Sequence, residues 1–111
     1  MDGIYTLKSL ATHRVLEADH TNKIFTSQDN ETPSQSWELL NSGYDFAFLR
    51  NVGTKQWLDS NAQGNVYGNF LNGGDYQKWK IDSVGADTFR LTDVATKKLL
   101  DSAADGRVYT L

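Results

Sequence analysis

Three acidic residues recur at a single spacing, and each is followed by the same series of chemically useful groups. Glu17, Asp59 and Asp101 lie 42 residues apart. Eight residues after each comes an aromatic ring: Phe25, Tyr67 and Tyr109. An amide stands thirteen residues on at Asn30 and Asn72, and Gln35-x-Trp37 and Gln77-x-Trp79 complete the series at eighteen and twenty. An ionised carboxylate accepts hydrogen bonds, an amide both donates and accepts, and an aromatic face packs against C–H groups. Such a set suits a ligand rich in hydroxyls. Each member also has a plainer reading. An aspartate beside Ser60 forms an Asx turn as readily as a site, and a tyrosine in a hairpin packs more often than it binds. Gln77 and Trp79 are expected to brace the core, Gln77 by satisfying buried backbone groups.

The elements that position these groups follow the same offset. Leu7, Leu49 and Leu91 coincide, as do Leu10, Val52 and Val94, then Val15-Leu16, Trp57-Leu58 and Leu99-Leu100. Ile24-Phe25, Val66-Tyr67 and Val108-Tyr109 coincide further on. Tyr5–Leu10, Phe46–Arg50 and Thr88–Thr92 alternate sides and predict a first strand in each unit. A second strand runs through the Leu-acid pair, a third holds the aromatic, and Gln-x-Trp opens a fourth. Asn22, Gly64 and Gly106 fall at one turn position, where their types indicate positive φ. No window shows a helical stripe. Three units, about 1–42, 43–84 and 85–111, predict a single all-β domain over 1–111, closed around a shared centre of Leu, Val and Trp.

Composition narrows the partners. The chain has 111 residues, 11 Lys plus Arg against 14 Asp plus Glu, a net charge of −3 and no cysteine. Basic residues form no run, which argues against nucleic acid, and no stretch is long and apolar enough for membrane insertion. Without cysteine there is no disulfide framework or thiolate metal site. With Met1 as the natural start, the opening residues carry no leader. His13 and His20 are the only histidines. Of the conceivable cluster Glu17, Asp19 and His20, neither Asp19 nor His20 has a charged or imidazole counterpart in the other units, and no P-loop, G-x-S-x-G or H-E-x-x-H motif occurs. No enzyme activity, metal or cofactor is expected. Asn30-Glu31-Thr32 spells a glycosylation sequon, but Pro33 follows it.

The recurring Gln-x-Trp units resemble the ricin-type β-trefoil lectins. The second unit, Leu58-Asp59-Ser60 to Val66-Tyr67 and Asn72-Gly73-Gly74-Asp75-Tyr76-Gln77-Lys78-Trp79, is similar to actinohivin-like three-repeat lectins for mannose-rich glycans. This resemblance implies a β-trefoil that binds carbohydrate through Asp59, Tyr67 and Asn72, with Tyr76 as a wall. Asp101 and Tyr109 are half of a third site. Glu17 and Asn30 belong to a first site expected to be weak, because Phe25 lacks a hydroxyl and Glu17 is one methylene longer. Gly68-Asn69 departs from the family pattern, so mannose- and galactose-type glycans both stand. The third unit's amide, Gln and Trp would fall at 114, 119 and 121, so the twelfth strand is missing. A fragment of a longer chain is expected, with self-association through the open barrel edge as the consequence. A protein-binding trefoil, or the targeting module of a larger toxin or hydrolase, is the alternative function.

Overall fold

A computed structural model of the chain describes residues 3–42 and 45–111; Met1 and Asp2, on which the leader expectation rests, lie outside them. Two sets of turns set the strands. Asn22, Gly64 and Gly106 take positive φ of 68°, 89° and 98°, as their residue types indicate. A second left-handed trio, His13, Lys55 and Lys97 at 62°, 66° and 64°, is not announced by residue type. It is held by the turn itself, where the amides of His13, Lys55 and Lys97 donate to the carbonyls of Ser9, Asn51 and Asp93 at 2.8–2.9 Å.

Between these turns run eleven strands among the described residues. The first unit holds β1 (Gly3–Tyr5), β2 (Val15–Ala18), β3 (Ile24–Ser27) and β4 (Trp37–Asn41). The second holds β5 (Ala47–Asn51), β6 (Trp57–Ser60), β7 (Val66–Asn69) and β8 (Trp79–Gly85). The third holds β9 (Thr88–Asp93), β10 (Leu100–Ser102) and β11 (Val108–Thr110). Two details differ from the sequence expectation. β1 stops at Tyr5 rather than Leu10, because Ser9 is already committed to the turn through its bonds with His13 and Arg14. Gln35 and Gln77 end one-turn 3-10 helices, Pro33–Gln35 and Asp75–Gln77, and the fourth strands begin at the tryptophans.

The first and fourth strands of the units make the barrel, in the antiparallel order β1-β4-β5-β8-β9. The second and third strands make three hairpins, β2–β3, β6–β7 and β10–β11, that cap it. Their tips interlock in a ring. Gly68 N–H donates to Asn22 O at 2.8 Å, Thr110 N–H to Gly64 O at 2.9 Å, and Thr26 N–H to Gly106 O at 2.9 Å. Each donor lies 42 residues from the next, so the cap has complete threefold symmetry. This is a β-trefoil, with eleven of the twelve strands among the described residues.

Trp37, Trp79, Leu49 and Leu58 are fully buried at the centre, with Leu16 and Leu39 beside them. Each indole also closes a hydrogen bond, Trp37 Nε1–H to Leu16 O at 2.9 Å and Trp79 Nε1–H to Leu58 O at 3.1 Å. Trp57 instead lies half-buried, edge-on to Phe48 and beneath the Arg50 guanidinium. Leu10 is 70% exposed, although it aligns with Val52 and Val94. Those valines donate their amides to Ser36 and Lys78, residues of the preceding unit's Gln-x-Trp segment, and among the described residues Leu10 has no such neighbour. The corresponding space between β9 and β1 is a groove of about 960 Å³, floored by Leu7, Leu16, Leu49, Ile81, Leu91 and Leu100.

The ring of hairpins makes Gly64 intolerant of a side chain. A Cβ there would sit 2.8 Å from Thr110 O, on a backbone with φ of +89°. Gly64→Ala is expected to lower stability by about 2 kcal/mol or more in urea denaturation. Gly73, which also has positive φ but an open Cβ site, should cost less when replaced.

Candidate functional site

The β6–β7 hairpin sets Asp59 directly opposite Tyr67. Beyond β7 the chain swings through Phe70–Gly74 and returns over the short helix carrying Tyr76 and Gln77. These segments enclose a concavity of about 490 Å³ in which Asp59, Tyr67, Asn72 and Tyr76 all take part. All four residues expected from the second unit are therefore brought together.

The carboxylate at its floor is rigidly held. Asp59 is 3% exposed. Its Oδ1 accepts from Ser60 N–H at 2.8 Å, and its Oδ2 from Asn69 Nδ2 at 3.0 Å and Gln77 Nε2 at 3.2 Å. A carboxylate has about four acceptor positions, so about one is left for a ligand hydroxyl. Gln77 extends the brace: its Nε2 also donates to Phe70 O at 2.8 Å, and its Oε1 accepts from Asn72 N–H at 2.9 Å. Gln77 thus satisfies backbone groups, though of the exposed loop residues Phe70 and Asn72 rather than of the core, and the Asp59 contact adds to it.

Asn72 Oδ1 accepts from Gly74 N–H at 2.8 Å, which fixes its amide at the edge of the concavity. Tyr67 donates its hydroxyl to Ser60 O at 3.1 Å, leaving the phenol oxygen as an acceptor. Burial, then the nearby Asp59 charge, holds the Tyr67 phenol above its ordinary range, so it stays neutral throughout the physiological pH range. Tyr76 is 39% exposed and presents its ring as a wall. Asp59 is the only charged side chain in the lining. One carboxylate among neutral amides, hydroxyls and rings matches a neutral polyhydroxylated ligand better than an anion.

Asn69 was missed as a site residue. It lines the concavity and holds Asp59 directly, while its Oδ1 accepts from Phe70 N–H at 2.9 Å. Its 42-residue counterparts are Ser27 and Leu111, so the repeat gives no sign of it. The only signal was that Gly68-Asn69 breaks the family pattern.

The first unit keeps the brace but lacks the aromatic wall. Glu17 faces Phe25 across β2–β3. Its carboxylate accepts from Ser27 Oγ, from Gln35 Nε2 at 2.9 Å and from Ser34 Oγ at 3.5 Å. Asn30 Oδ1 is taken by Thr32, through its amide at 3.1 Å and its hydroxyl at 2.6 Å. The extra methylene carries the acid onto neighbouring hydroxyls, and Ser34 stands where the second unit has the Tyr76 wall. In the third unit Asp101 pairs with Tyr109 and accepts from Ser102 N–H at 2.7 Å, but Asp101 is exposed and the amide and Gln positions fall beyond residue 111. The rival cluster of Glu17, Asp19 and His20 does not form. The Asp19 carboxylate accepts from Thr21 and Lys23 within its own turn, and the Thr21 hydroxyl bond leads in holding it below the ordinary range. Among the described residues, no three acidic or imidazole side chains converge as a metal site.

Residues 33–110 match the family described as ricin-type beta-trefoil lectin domain-like. The fold is shared with a designed 3-fold symmetric protein, ThreeFoil, at a TM-score of 0.87 and 20% identity, over 99% of this chain and 88% of that one. It is shared too with 1,3Gal43A, an exo-beta-1,3-galactanase from Clostridium thermocellum, at a TM-score of 0.86 and 22% identity. That alignment covers 96% of this chain and 26% of the galactanase. No curated protein sequence matches. With a match spanning most of its length, the chain belongs to the ricin-type β-trefoil lectin-like family.

Proposed function

We propose that residues 1–111 act as a single glycan-binding module whose working site is the second-unit concavity. The observation that carries this is the Asp59 carboxylate, buried and fixed by three donors, with Tyr67, Asn72 and Tyr76 around its free side. Asp59 takes a ligand hydroxyl, Asn72 a second, and Tyr76 packs on the C–H face of the ring. Mannose- and galactose-type glycans both present these groups, and the fold shared with a galactanase supports the galactose type. The module performs no catalysis of its own. A glycan array tests the proposal. Discrete signals from the wild-type chain that vanish in Asp59→Ala support it, and an array silent for the wild type refutes it.

Affinity from one such shallow site is expected to be about millimolar. Linking several copies should raise it by orders of magnitude, on the order of 10²-fold or more for suitable linkers. Calorimetry on the single chain, then surface binding of a linked trimer, measures both. Micromolar binding of a monosaccharide to one chain would contradict this expectation.

A second reading is the targeting module of a larger hydrolase, supported by the fold occupying 26% of the galactanase chain. It differs in what is attached, not in the site. Self-association is also proposed. The outer edge of β9 and the apolar groove beside it support pairing of two copies, with Val84 and Phe89 exposed nearby. Sedimentation over a concentration series should show a dimer, and a monomer at all concentrations would exclude it.

A further inference from the structure

Asp93 is a fully buried acid that no ligand contact explains. It lies at the end of β9, and its counterpart 42 residues earlier is Asn51, also fully buried. The two side chains share one task. Asn51 Oδ1 accepts from the amides of Gly53 and Thr54 at 3.1 and 3.0 Å, and Asp93 Oδ1 from those of Ala95 and Thr96 at 3.0 and 3.3 Å. They diverge at the other atom. Asn51 Nδ2 donates to Ser34 O at 2.9 Å, whereas Asp93 Oδ2 accepts from Ser60 Oγ at 2.7 Å.

Ser60 is the residue on which the second-unit site converges. Its amide holds Asp59 Oδ1, its carbonyl receives the Tyr67 hydroxyl, and its own hydroxyl reaches Asp93 in the next unit. In the first unit the place of Ser60 is taken by Ala18, so neither half of the Ser60–Asp93 pair exists there. Turn capping alone is served as well by asparagine, as Asn51 shows. Burial pushes the Asp93 carboxyl above its ordinary range, with the Asp59 charge adding to it, while the Ser60 hydroxyl opposes the shift. A buried acid is thus retained where a neutral amide would serve the turn. What it adds is the anchor on Ser60.

We propose that Ser60 and Asp93 are positioning residues for the second-unit site, the Asp93 carboxylate of the third unit anchoring the Ser60 hydroxyl and so fixing the backbone that orients Asp59 and Tyr67. Its effect on ligand affinity rests on the glycan reading above; its effect on the Ser60 backbone does not. The third unit thereby takes part in a site to which it contributes no lining residue.

The test is the double variant Ser60→Ala/Asp93→Asn, which installs at each position the residue found 42 places earlier, Ala18 and Asn51. Exchange of the residue-60 amide proton, followed by NMR, is expected to be about tenfold faster than in wild type, because the anchor has gone. Affinity for mannose- and galactose-terminated oligosaccharides should fall about fivefold, with the melting temperature changed by only a few degrees. Asp93→Asn alone replaces the charged acceptor facing Ser60 Oγ–H with an NH₂ donor, which weakens the anchor, and should accelerate exchange by less than the double variant. If the double variant does not fold, Ser60→Ala alone is read in the same way. Accelerated exchange in a chain whose wild type binds no sugar would uphold the positioning role and discard the glycan reading. Unchanged exchange at residue 60 would overturn the proposal.

Discussion

Trp79→Ala is expected to cost about 3–5 kcal/mol of folding stability, measured by urea denaturation at neutral pH. Two losses combine. The indole is fully buried at the centre of the barrel, so truncation leaves a cavity that Leu49 and Leu58 can only partly fill. It also removes the donor to Leu58 O, leaving a buried carbonyl unsatisfied at a cost of about 1–3 kcal/mol. These overlap rather than add. Against a typical domain stability of about 5–15 kcal/mol, the variant stands close to unfolding at physiological temperature. Trp57→Ala is the control. Its ring is half-buried against Phe48 and Arg50, so its removal should cost clearly less. A larger loss at Trp57 than at Trp79 would show that the core has been wrongly located.

Asp59→Asn is expected to abolish measurable glycan binding, and to destabilise the fold as well. The sequence alone suggests a purely functional substitution, harmless to folding. The structure argues otherwise, because all three protein atoms around the carboxylate are donors: Ser60 N–H, Asn69 Nδ2 and Gln77 Nε2. An asparagine must turn an NH₂ group towards at least one of them, and two donors then face each other in a nearly closed space. The expected cost is about 1–3 kcal/mol, below that of Trp79→Ala. Binding is lost because a carboxylate acceptor becomes a weaker amide oxygen and the Gln77 brace is disturbed. Array signals paired with thermal melts measure both effects. Retained binding would remove Asp59 from the site. A stability loss matching that of Trp79→Ala would mean that the acid is mainly structural.

Much of this was legible in the sequence because an internal repeat constrains every unit to the same hydrogen-bonding solution. Asn22, Gly64 and Gly106 announced a shared left-handed turn by chemical type alone. Gln35 with Trp37, and Gln77 with Trp79, announced a brace and a core ring, since only a common environment preserves both at one offset. The first unit's departure is legible in Phe25 and Glu17, and the exchange of Tyr76 for Ser34 adds to it.

The sequence by itself determined the period and the succession of four strands in a unit, and its family resemblance pointed to three side chains of the second unit. Those properties depend on residue type and on neighbours close along the chain. Tertiary structure alone decided how much of Asp59 remains available, that Asn69 stands over it, and that Asp93 reaches Ser60 across 33 residues. Each of these depends on two or three atoms approaching within about 3 Å. Linear spacing cannot encode such an approach, because the packing of one unit against the next sets it.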